Sequence, residues 1–91
     1  MQSRMLPVQP RLAAHTRLTF DRHRGRWVIL APERMIILDE AAFATVSRCT
    51  GHATVAELVA DLSKTFEGDP VTIEADVKAL LDDLVAKGVV R

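Results

Sequence analysis

Residues 27–40 read WVILAPERMIILDE and contain two short apolar runs, Trp27–Leu30 and Met35–Leu38, separated by a proline corner. Apolar runs of four that are rich in Val and Ile and bounded by such a corner are typical of strands rather than helices. The second run leads directly into Asp39, which is suited to open a helix. In so small a chain, this strand is either covered on both faces or leaves an edge and one face for a partner.

Size and composition indicate one small domain. The chain has 91 residues, of which 48% are hydrophobic but only 4% aromatic, so the core must be modest and mainly aliphatic. Few aromatic side chains are left for stacking nucleic-acid bases. The single cysteine, Cys49, excludes an internal disulfide and fits a reducing compartment. Without an apolar run of membrane-spanning length or a signal peptide, we expect a cytoplasmic protein that does not bind membranes.

Charge is unevenly distributed although the net charge is zero. Residues 1–34 carry seven arginines against two acids, a net charge of +5. Residues 35–91 carry five basic residues against ten acids, a net charge of −5. Either the basic half steers an acidic partner, or the two halves offset each other within one fold.

Three strands are predicted before any helix. Thr16–Asp21 alternates polar and apolar residues, and a turn that contains Gly25 follows it. Arg26–Ala31 and Met35–Leu38 then complete a three-stranded meander. Residues 1–15 contain two prolines and no periodicity, and we predict a flexible N-terminal arm there.

Three helices are predicted after the strands, each opened by a residue that suits a helix N-terminus. They are Glu40–Cys49 after Asp39, a helix opened by a Thr54/Glu57 capping box and ended by Gly68, and a helix from Pro70 to Lys87. The third helix carries an apolar stripe of Ile73, Val77, Leu80, Leu81 and Leu84. The predicted fold class is therefore α+β, with a three-stranded antiparallel sheet followed by three helices in a single domain over residues 16–91.

Catalysis is not indicated by any motif. The histidines His15, His23 and His52 are scattered over the arm, a turn and a loop, whereas acid–base catalysis needs a positioned partner. Cys49 near the C-terminal end of a helix is expected to have a raised thiol pKa rather than a lowered one. There is no zinc-ligand spacing, no phosphate-binding glycine loop and no nucleophile elbow. We therefore expect no enzyme activity, no metal and no cofactor.

Nucleic-acid binding is the main alternative, because three helices beside a small sheet resemble a winged helix. The last helix, Ile73–Lys87, carries four acids against two lysines, and a net charge of −2 is repelled by phosphate. The arginines lie on the arm and the first hairpin instead. A small winged-helix nucleic-acid-binding or adaptor domain stays open as the alternative function.

Peptide binding fits the third strand better. A short exposed edge strand can accept another chain through main-chain hydrogen bonds, with pockets for alternate side chains. Met35–Leu38 has no charged residue, whereas the first strand carries Arg17 and Asp21, and natural strand edges are usually protected by charge. The other interpretation is a fully buried strand. An exposed apolar edge can also pair with its own copy, so we expect a monomer or a weak dimer.

Several segments of the chain resemble the PqqD family of pyrroloquinoline quinone (PQQ) biosynthesis. They are RL and FD within residues 17–21, WVILAPER at 27–34, LD at 38–39, TVAEL at 54–58, DV at 76–77, LL at 80–81, Leu84, and GVV at 88–90. The resemblance covers about residues 10–91, and its most specific part is the PER corner at residues 32–34.

This resemblance implies a recognition element for the precursor of a ribosomally synthesised and post-translationally modified peptide (RiPP), with a winged-helix-like fold. Members of the family bind the precursor peptide PqqA and present it to the radical SAM enzyme PqqE, which cross-links a Glu and a Tyr within that peptide. The recognition protein itself does no chemistry and carries no cofactor.

The resemblance also implies where the peptide binds, because in related domains it adds to the third strand and lies against the third helix. Carried onto this chain, the strand side of the site is Arg34, Met35, Ile36, Ile37 and Leu38. The helix side is Ala75, Val77, Lys78, Ala79, Leu81 and Asp82. Two of these, Val77 and Leu81, also belong to the apolar stripe of the core. If both are buried, the groove is lined by the other four.

Overall fold

The computed structural model describes residues 6–91 and contains one three-stranded antiparallel sheet with the strand order β1-β2-β3. Its strands and helices are β1 Arg17–Asp21, β2 Arg26–Ala31, β3 Arg34–Leu38, α1 Glu40–Val46, α2 Val55–Thr65 and α3 Pro70–Ala86. The predicted meander followed by three helices is confirmed. Residues 1–5 of the predicted arm lie outside the described residues.

Two tight connections set the register of the sheet. The β1–β2 turn is organised by Asp21, whose carboxylate accepts the backbone N–H of His23 at 3.0 Å and the side chain of Arg24 at 2.7 Å. Gly25 completes this turn at φ +67°, a conformation that glycine adopts without steric cost. The β2–β3 turn has only two residues, since Ala31 pairs with Arg34. This pairing explains why β3 begins one residue earlier than predicted.

The core lies between one face of the sheet and the three helices. Its least exposed members are Ile29, Leu58, Leu81 and Leu84, each with at most 1% of its surface exposed. The C-terminal residues fold back as predicted, since Val89 and Val90 are buried in the same cluster. Each of these side chains removes apolar surface from water, which is the main stabilising contribution in so small a domain.

The first helix is shorter than predicted and ends at Val46 rather than Cys49. The Arg48 N–H donates to the Thr45 carbonyl at 3.1 Å, and the Cys49 N–H donates to the Val46 carbonyl at 3.0 Å. Both bonds reach back three residues, so the chain tightens into a 3₁₀-like turn instead of continuing as an α-helix.

The predicted caps form as expected. The Thr54 N–H donates to the Glu57 carboxylate at 2.8 Å, and the Glu57 N–H donates to the Thr54 hydroxyl at 3.1 Å. Asp39 accepts the Ala42 N–H at 2.8 Å at the start of α1. Capping of this kind satisfies N–H groups that have no partner within the helix, and it fixes where each helix begins.

The described part of the arm is attached to the C-terminal residues. Arg11 and Arg91 exchange two backbone hydrogen bonds of 2.8 Å each, and the Ala13 N–H donates to the Val89 carbonyl at 2.9 Å. Between them, Leu12 forms a bridge with Val90 and packs against the core. Long-range pairing therefore fixes the backbone of the predicted arm over residues 10–13.

Candidate functional site

Strand β3 has one edge without a partner strand. Ala31 and Arg34 close a two-residue hairpin and therefore form a hydrogen-bonded pair. Such pairs alternate along an antiparallel ladder, so the N–H and C=O groups of Met35 and Ile37 point away from β2. Within residues 6–91, none of the backbone hydrogen bonds outside the helices and strands involves either residue. The edge therefore offers free donors and acceptors to another chain.

Apolar side chains lie on both faces of β3. Ile36 is half-buried and Leu38 is buried on the face that packs on the helices. On the opposite face, Met35 is 38% exposed and Ile37 is 46% exposed. Leu30 lies beside Met35 in register, so the apolar outer face continues onto β2. A chain added to this edge finds apolar contacts on either side of its backbone.

A cavity of about 410 Å³ adjoins the end of β3. It is enclosed by the start of α1, the end of α2 and one flank of α3. Asp39, which follows β3 directly in the chain, forms part of the wall. The rest of the wall is Ala41, Ala42, Thr45, Leu62, Phe66, Glu67, Ile73, Asp76, Val77 and Leu80. Asp39 therefore joins the end of β3 to the wall of this cavity.

A second cavity of about 640 Å³ lies between the first hairpin and α1, and it also reaches Ile37. Three aromatic residues line it. The ring of Trp27 stacks on Phe43 at 4.4 Å between centroids, and the ring of Phe20 meets Trp27 edge-on at 5.4 Å. These contacts are worth about 0.5–1.5 kcal/mol per pair beyond the area that they bury. The stack of Trp27 on Phe43 holds α1 against the sheet and so fixes the end of β3.

The strand side of the predicted site is exposed where a partner chain would need it. Arg34, Met35 and Ile37 are exposed and Ile36 is half-buried, whereas Leu38 has only 5% of its surface exposed. Leu38 therefore supports the core, and by the same alternation its N–H and C=O groups face Trp27 on β2.

Burial separates the predicted site residues on α3 into two groups. Val77 is 4% exposed and Leu81 is fully buried, so both side chains belong to the core. Ala75 and Ala79 are exposed, and Lys78 forms an ion pair of 2.7 Å with Glu74. Asp82 is partly buried, and its Oδ1 has no hydrogen-bond partner.

The cavity beside β3 brings together a different set of α3 residues. Of the residues predicted on this helix, only Val77 lines the cavity, whereas Ala75, Lys78, Ala79 and Asp82 do not. The α3 part of the cavity wall also contains Ile73, Asp76 and Leu80, which are not among the predicted site residues. The apolar stripe already contained Ile73 and Leu80. Their half-buried state shows that they lie at the margin of the core, next to the cavity.

Cys49 is unsuited to nucleophilic chemistry. Burial raises the pKa of the Cys49 thiol to about 11, and the thiol donates to the Thr45 carbonyl at 3.4 Å. At neutral pH the thiol is therefore protonated and inaccessible.

The described residues contain neither a metal-ligand cluster nor a membrane-spanning helix. From Leu6 to Arg91, no group of three or more His, Cys, Asp and Glu side chains is placed to hold a metal ion. No helix in this part of the chain is long and apolar enough to cross a membrane.

Basic side chains surround the sheet. Arg24 pairs with Asp21, and Arg48 pairs with Asp61. Four exposed arginines of the strands and hairpin turns form no salt bridge with any residue from 6 to 91. They are Arg17, Arg22, Arg26 and Arg34. They leave positive charge on the hairpins, while the cavity beside β3 carries negative charge.

The fold and the open edge define a small winged-helix-like α+β domain that can hold an extended chain along its third strand. Its sequence matches the family described as Coenzyme PQQ synthesis protein D (PqqD) over residues 26–90. The chain belongs to the PqqD family.

Curated and solved relatives agree with this assignment. A protein named PqqA binding protein from Xanthomonas oryzae pv. oryzae (strain PXO99A) is 42% identical over 83 residues, which cover 91% of this chain and 90% of the relative. The PqqD part of Methylobacterium extorquens PqqCD, solved by NMR, matches this structure with a TM-score of 0.77 at 40% identity. The match covers 90% of this chain and 87% of that chain. That structure is described as a functional, stand-alone RiPP recognition element.

A crystal structure of PqqD from Xanthomonas campestris is also similar. Its TM-score is 0.61 at 39% identity, and the match covers 88% of this chain and 89% of that protein. Both structures support the fold described above.

Proposed function

We propose that this chain is a peptide chaperone of PQQ biosynthesis that binds the ribosomal precursor peptide PqqA. The observation that carries this proposal is the free edge of β3, where main-chain groups of Met35 and Ile37 have no partner strand. Relatives at about 42% identity are named for PqqA binding, which supports the same function.

The proposed mechanism is strand addition. Hydrogen bonds from the peptide backbone to Met35 and Ile37 supply affinity that is independent of peptide sequence. Successive peptide side chains then point to opposite faces, one set toward Ile36 and the helices and the other beside the apolar outer face. Holding the peptide extended costs conformational entropy, which the apolar contacts must offset.

We further propose that the chain presents PqqA to the radical SAM enzyme PqqE and does no chemistry of its own. An added strand fixes only a few peptide residues, so the residues on either side remain available to an enzyme. The protein needs no cofactor for this role. The cytoplasm is the proposed location, because a ribosomal precursor is made there and a single reduced cysteine suits that compartment.

Two roles remain for the exposed arginines. They either attract acidic residues of PqqA or of the enzyme, or they are only solvated charges on the hairpins. The affinity for PqqA as a function of salt separates these roles when it is measured for wild type and for a variant with Arg22, Arg24 and Arg26 replaced by alanine. Sedimentation at increasing concentration decides between a monomer and a weak dimer.

An NMR titration tests the proposed function. The ¹⁵N-labelled protein is titrated with synthetic PqqA peptide and, in a separate sample, with duplex DNA. We expect saturable shifts at residues 34–38 and on the α3 flank with peptide, and none with DNA because α3 is acidic. Shifts with DNA and none with PqqA would overturn the proposal.

A second experiment tests presentation to the enzyme. Binding of PqqE to the immobilised chain is measured with and without PqqA, and the yield of cross-linked peptide is compared with and without the chain. We expect the chain to raise the yield without reacting itself. An unchanged yield at saturating concentrations would contradict the chaperone role.

A further inference from the structure

The cavity beside β3 combines an apolar floor with a one-sided charge. Large apolar side chains in its wall include Phe66, Ile73 and Leu80. Among residues 6–91, its only charged lining residues are Asp39, Glu67 and Asp76, and no lysine or arginine of this range lines it. A cavity of this composition favours an apolar group with a positive charge next to it.

None of the three carboxylates forms an ion pair with a lysine or arginine in the described part of the chain. Neither Glu67 nor Asp76 forms a side-chain hydrogen bond or an ion pair with any residue that the structure describes. Asp39 uses one oxygen to accept the Ala42 N–H, which holds the carboxylate in place at the cavity wall. Like charges around one apolar space add their potentials and attract a cation.

The cavity is placed where a peptide on β3 would reach it. A strand paired with Met35 and Ile37 ends beside Leu38, and the next residue of this chain, Asp39, is already part of the cavity wall. The volume of about 410 Å³ is at the small end of the roughly 300–1,000 Å³ typical of ligand pockets. This is room for one or two side chains rather than for a folded segment.

On the basis of the proposed function, we infer that this cavity is a side-chain subsite of the peptide groove. It takes a large apolar side chain of the precursor peptide that neighbours a cationic group, either a Lys or Arg side chain or the free N-terminal ammonium. The apolar side chain contacts Ile73 and Leu80, and the cation lies between Glu67 and Asp76. The subsite fixes which end of the peptide lies at the α1 end of β3.

A pair of charge-matched double variants tests this subsite. Glu67→Gln with Asp76→Asn removes two carboxylates from the cavity, whereas Glu74→Gln with Asp83→Asn removes two exposed carboxylates that do not line it. Affinity for synthetic PqqA is measured by calorimetry at low salt and at about 1 M salt, where charges are screened beyond about 3 Å. We expect a loss of about three- to tenfold for the cavity variant at low salt only, and less than twofold for the control.

Methyl NMR on the unmodified protein gives a second measurement that does not depend on a variant. The δ1 methyl of Ile73 and the methyls of Leu80 are expected to shift on addition of PqqA and to show NOEs to an apolar peptide side chain. Replacing a neighbouring peptide Lys or Arg with Glu, or acetylating the peptide N-terminus where the ammonium is the cation, is expected to weaken binding to wild type more than binding to the cavity variant.

The outcomes separate this inference from the function on which it rests. PqqA binding to β3 without shifts at Ile73 and Leu80, and with equal affinities for the two double variants, would overturn the subsite and leave the function intact. No PqqA binding at all would overturn both.

Discussion

The two edge strands of the sheet have the same backbone geometry and opposite chemistry. Because backbone groups alternate along β2, the N–H and C=O groups of Leu18 and Phe20 face outward on β1, just as those of Met35 and Ile37 do on β3. Both strands have five residues. Geometry alone therefore offers two equivalent positions for strand addition.

Side chains distinguish the two edges. The outer face of β1 carries Arg17, Thr19 and Asp21, whereas the outer face of β3 carries Met35 and Ile37. Charged groups disfavour a second strand because they would be removed from water as it docks. Of these two strands, only β3 leads into the cavity of about 410 Å³ that α3 lines, through Asp39. Side chains therefore close one edge and leave the other available to a peptide.

Two substitutions on α3 distinguish a core residue from an exposed one, and the first should change stability more than any other variant proposed below. Leu81→Ala should lower the free energy of unfolding by about 2–5 kcal/mol, because Leu81 is fully buried and the substitution leaves a cavity. Lys78→Ala on the same helix should cost about 0.5 kcal/mol or less, since it removes only an exposed ion pair with Glu74. Urea denaturation measures both. A stable Leu81→Ala variant with weakened PqqA binding would instead place Leu81 in the groove.

A matched pair of prolines tests the edges directly. Ile37→Pro removes an outward-facing donor from β3 and should weaken PqqA binding at least about tenfold. Phe20→Pro removes the equivalent donor from β1 and should leave affinity within about twofold, at the cost of about 0.5–1.5 kcal/mol of aromatic packing.

Calorimetry with PqqA and circular dichroism on both proline variants give the affinity and confirm the fold. Ile37→Val serves as a side-chain control, because it keeps the N–H and most of the apolar surface. Equal losses of affinity for Ile37→Pro and Phe20→Pro would remove the distinction between the edges.

Replacing polar side chains on the outer face of β1 should make the protein self-associate. Arg17→Ile combined with Thr19→Val gives β1 an apolar outer face like that of β3. We expect this variant to self-associate as concentration rises, because an unprotected apolar edge accepts another strand. Sedimentation velocity detects the change, and Arg22→Ala in the adjoining turn is the control with one charge fewer. A variant that remains like wild type would show that the charge on β1 does not protect it.

The contribution of Asp21 to stability should depend on pH, and this effect is expected to be smaller than those above. Hydrogen bonding to Arg24 is the main reason that the pKa of Asp21 lies below its ordinary value of 3.8. A lowered folded-state pKa means that the stabilisation by Asp21 is fully present above that ordinary value and is lost as the pH falls through the folded value. The difference in denaturation midpoint between wild type and Asp21→Asn should shrink between pH 5 and about pH 2. A constant difference would contradict this origin.

Much of the fold could be predicted because its signals are local. The proline corner, the N-cap Asp39 and the Thr54/Glu57 capping box each act within a few residues, and all of them lie where predicted. The pairing of Arg11 with Arg91 has no such signal, since it joins residues at opposite ends of the sequence. The early end of α1 likewise depends on a tightened turn that helix periodicity does not reveal.

The candidate site also combines a part with a local sequence signal, on β3, and a part without one, on α3. The apolar sequence of β3 indicated an open edge, because a run without charges on an edge strand is unusual. The flank of α3 that meets the cavity could not be read from the sequence. Successive helical residues are rotated by about 100°, so Lys78 and Leu80 lie about 200° apart around α3, and the rotation of the helix about its axis decides which of them faces the cavity. Packing against α1 and α2 sets that rotation, and it places Leu80 at the cavity.

Amide hydrogen exchange is the most direct measurement of strand addition at β3, because it reports on single N–H groups. In the free protein, we expect fast exchange at Met35 and Ile37 on β3 and at Leu18 and Phe20 on β1. Saturating PqqA should slow exchange at Met35 and Ile37 and leave Leu18 and Phe20 fast. Bound PqqA that leaves Met35 and Ile37 exchanging as quickly as before, or that protects β1 instead, would contradict strand addition at β3.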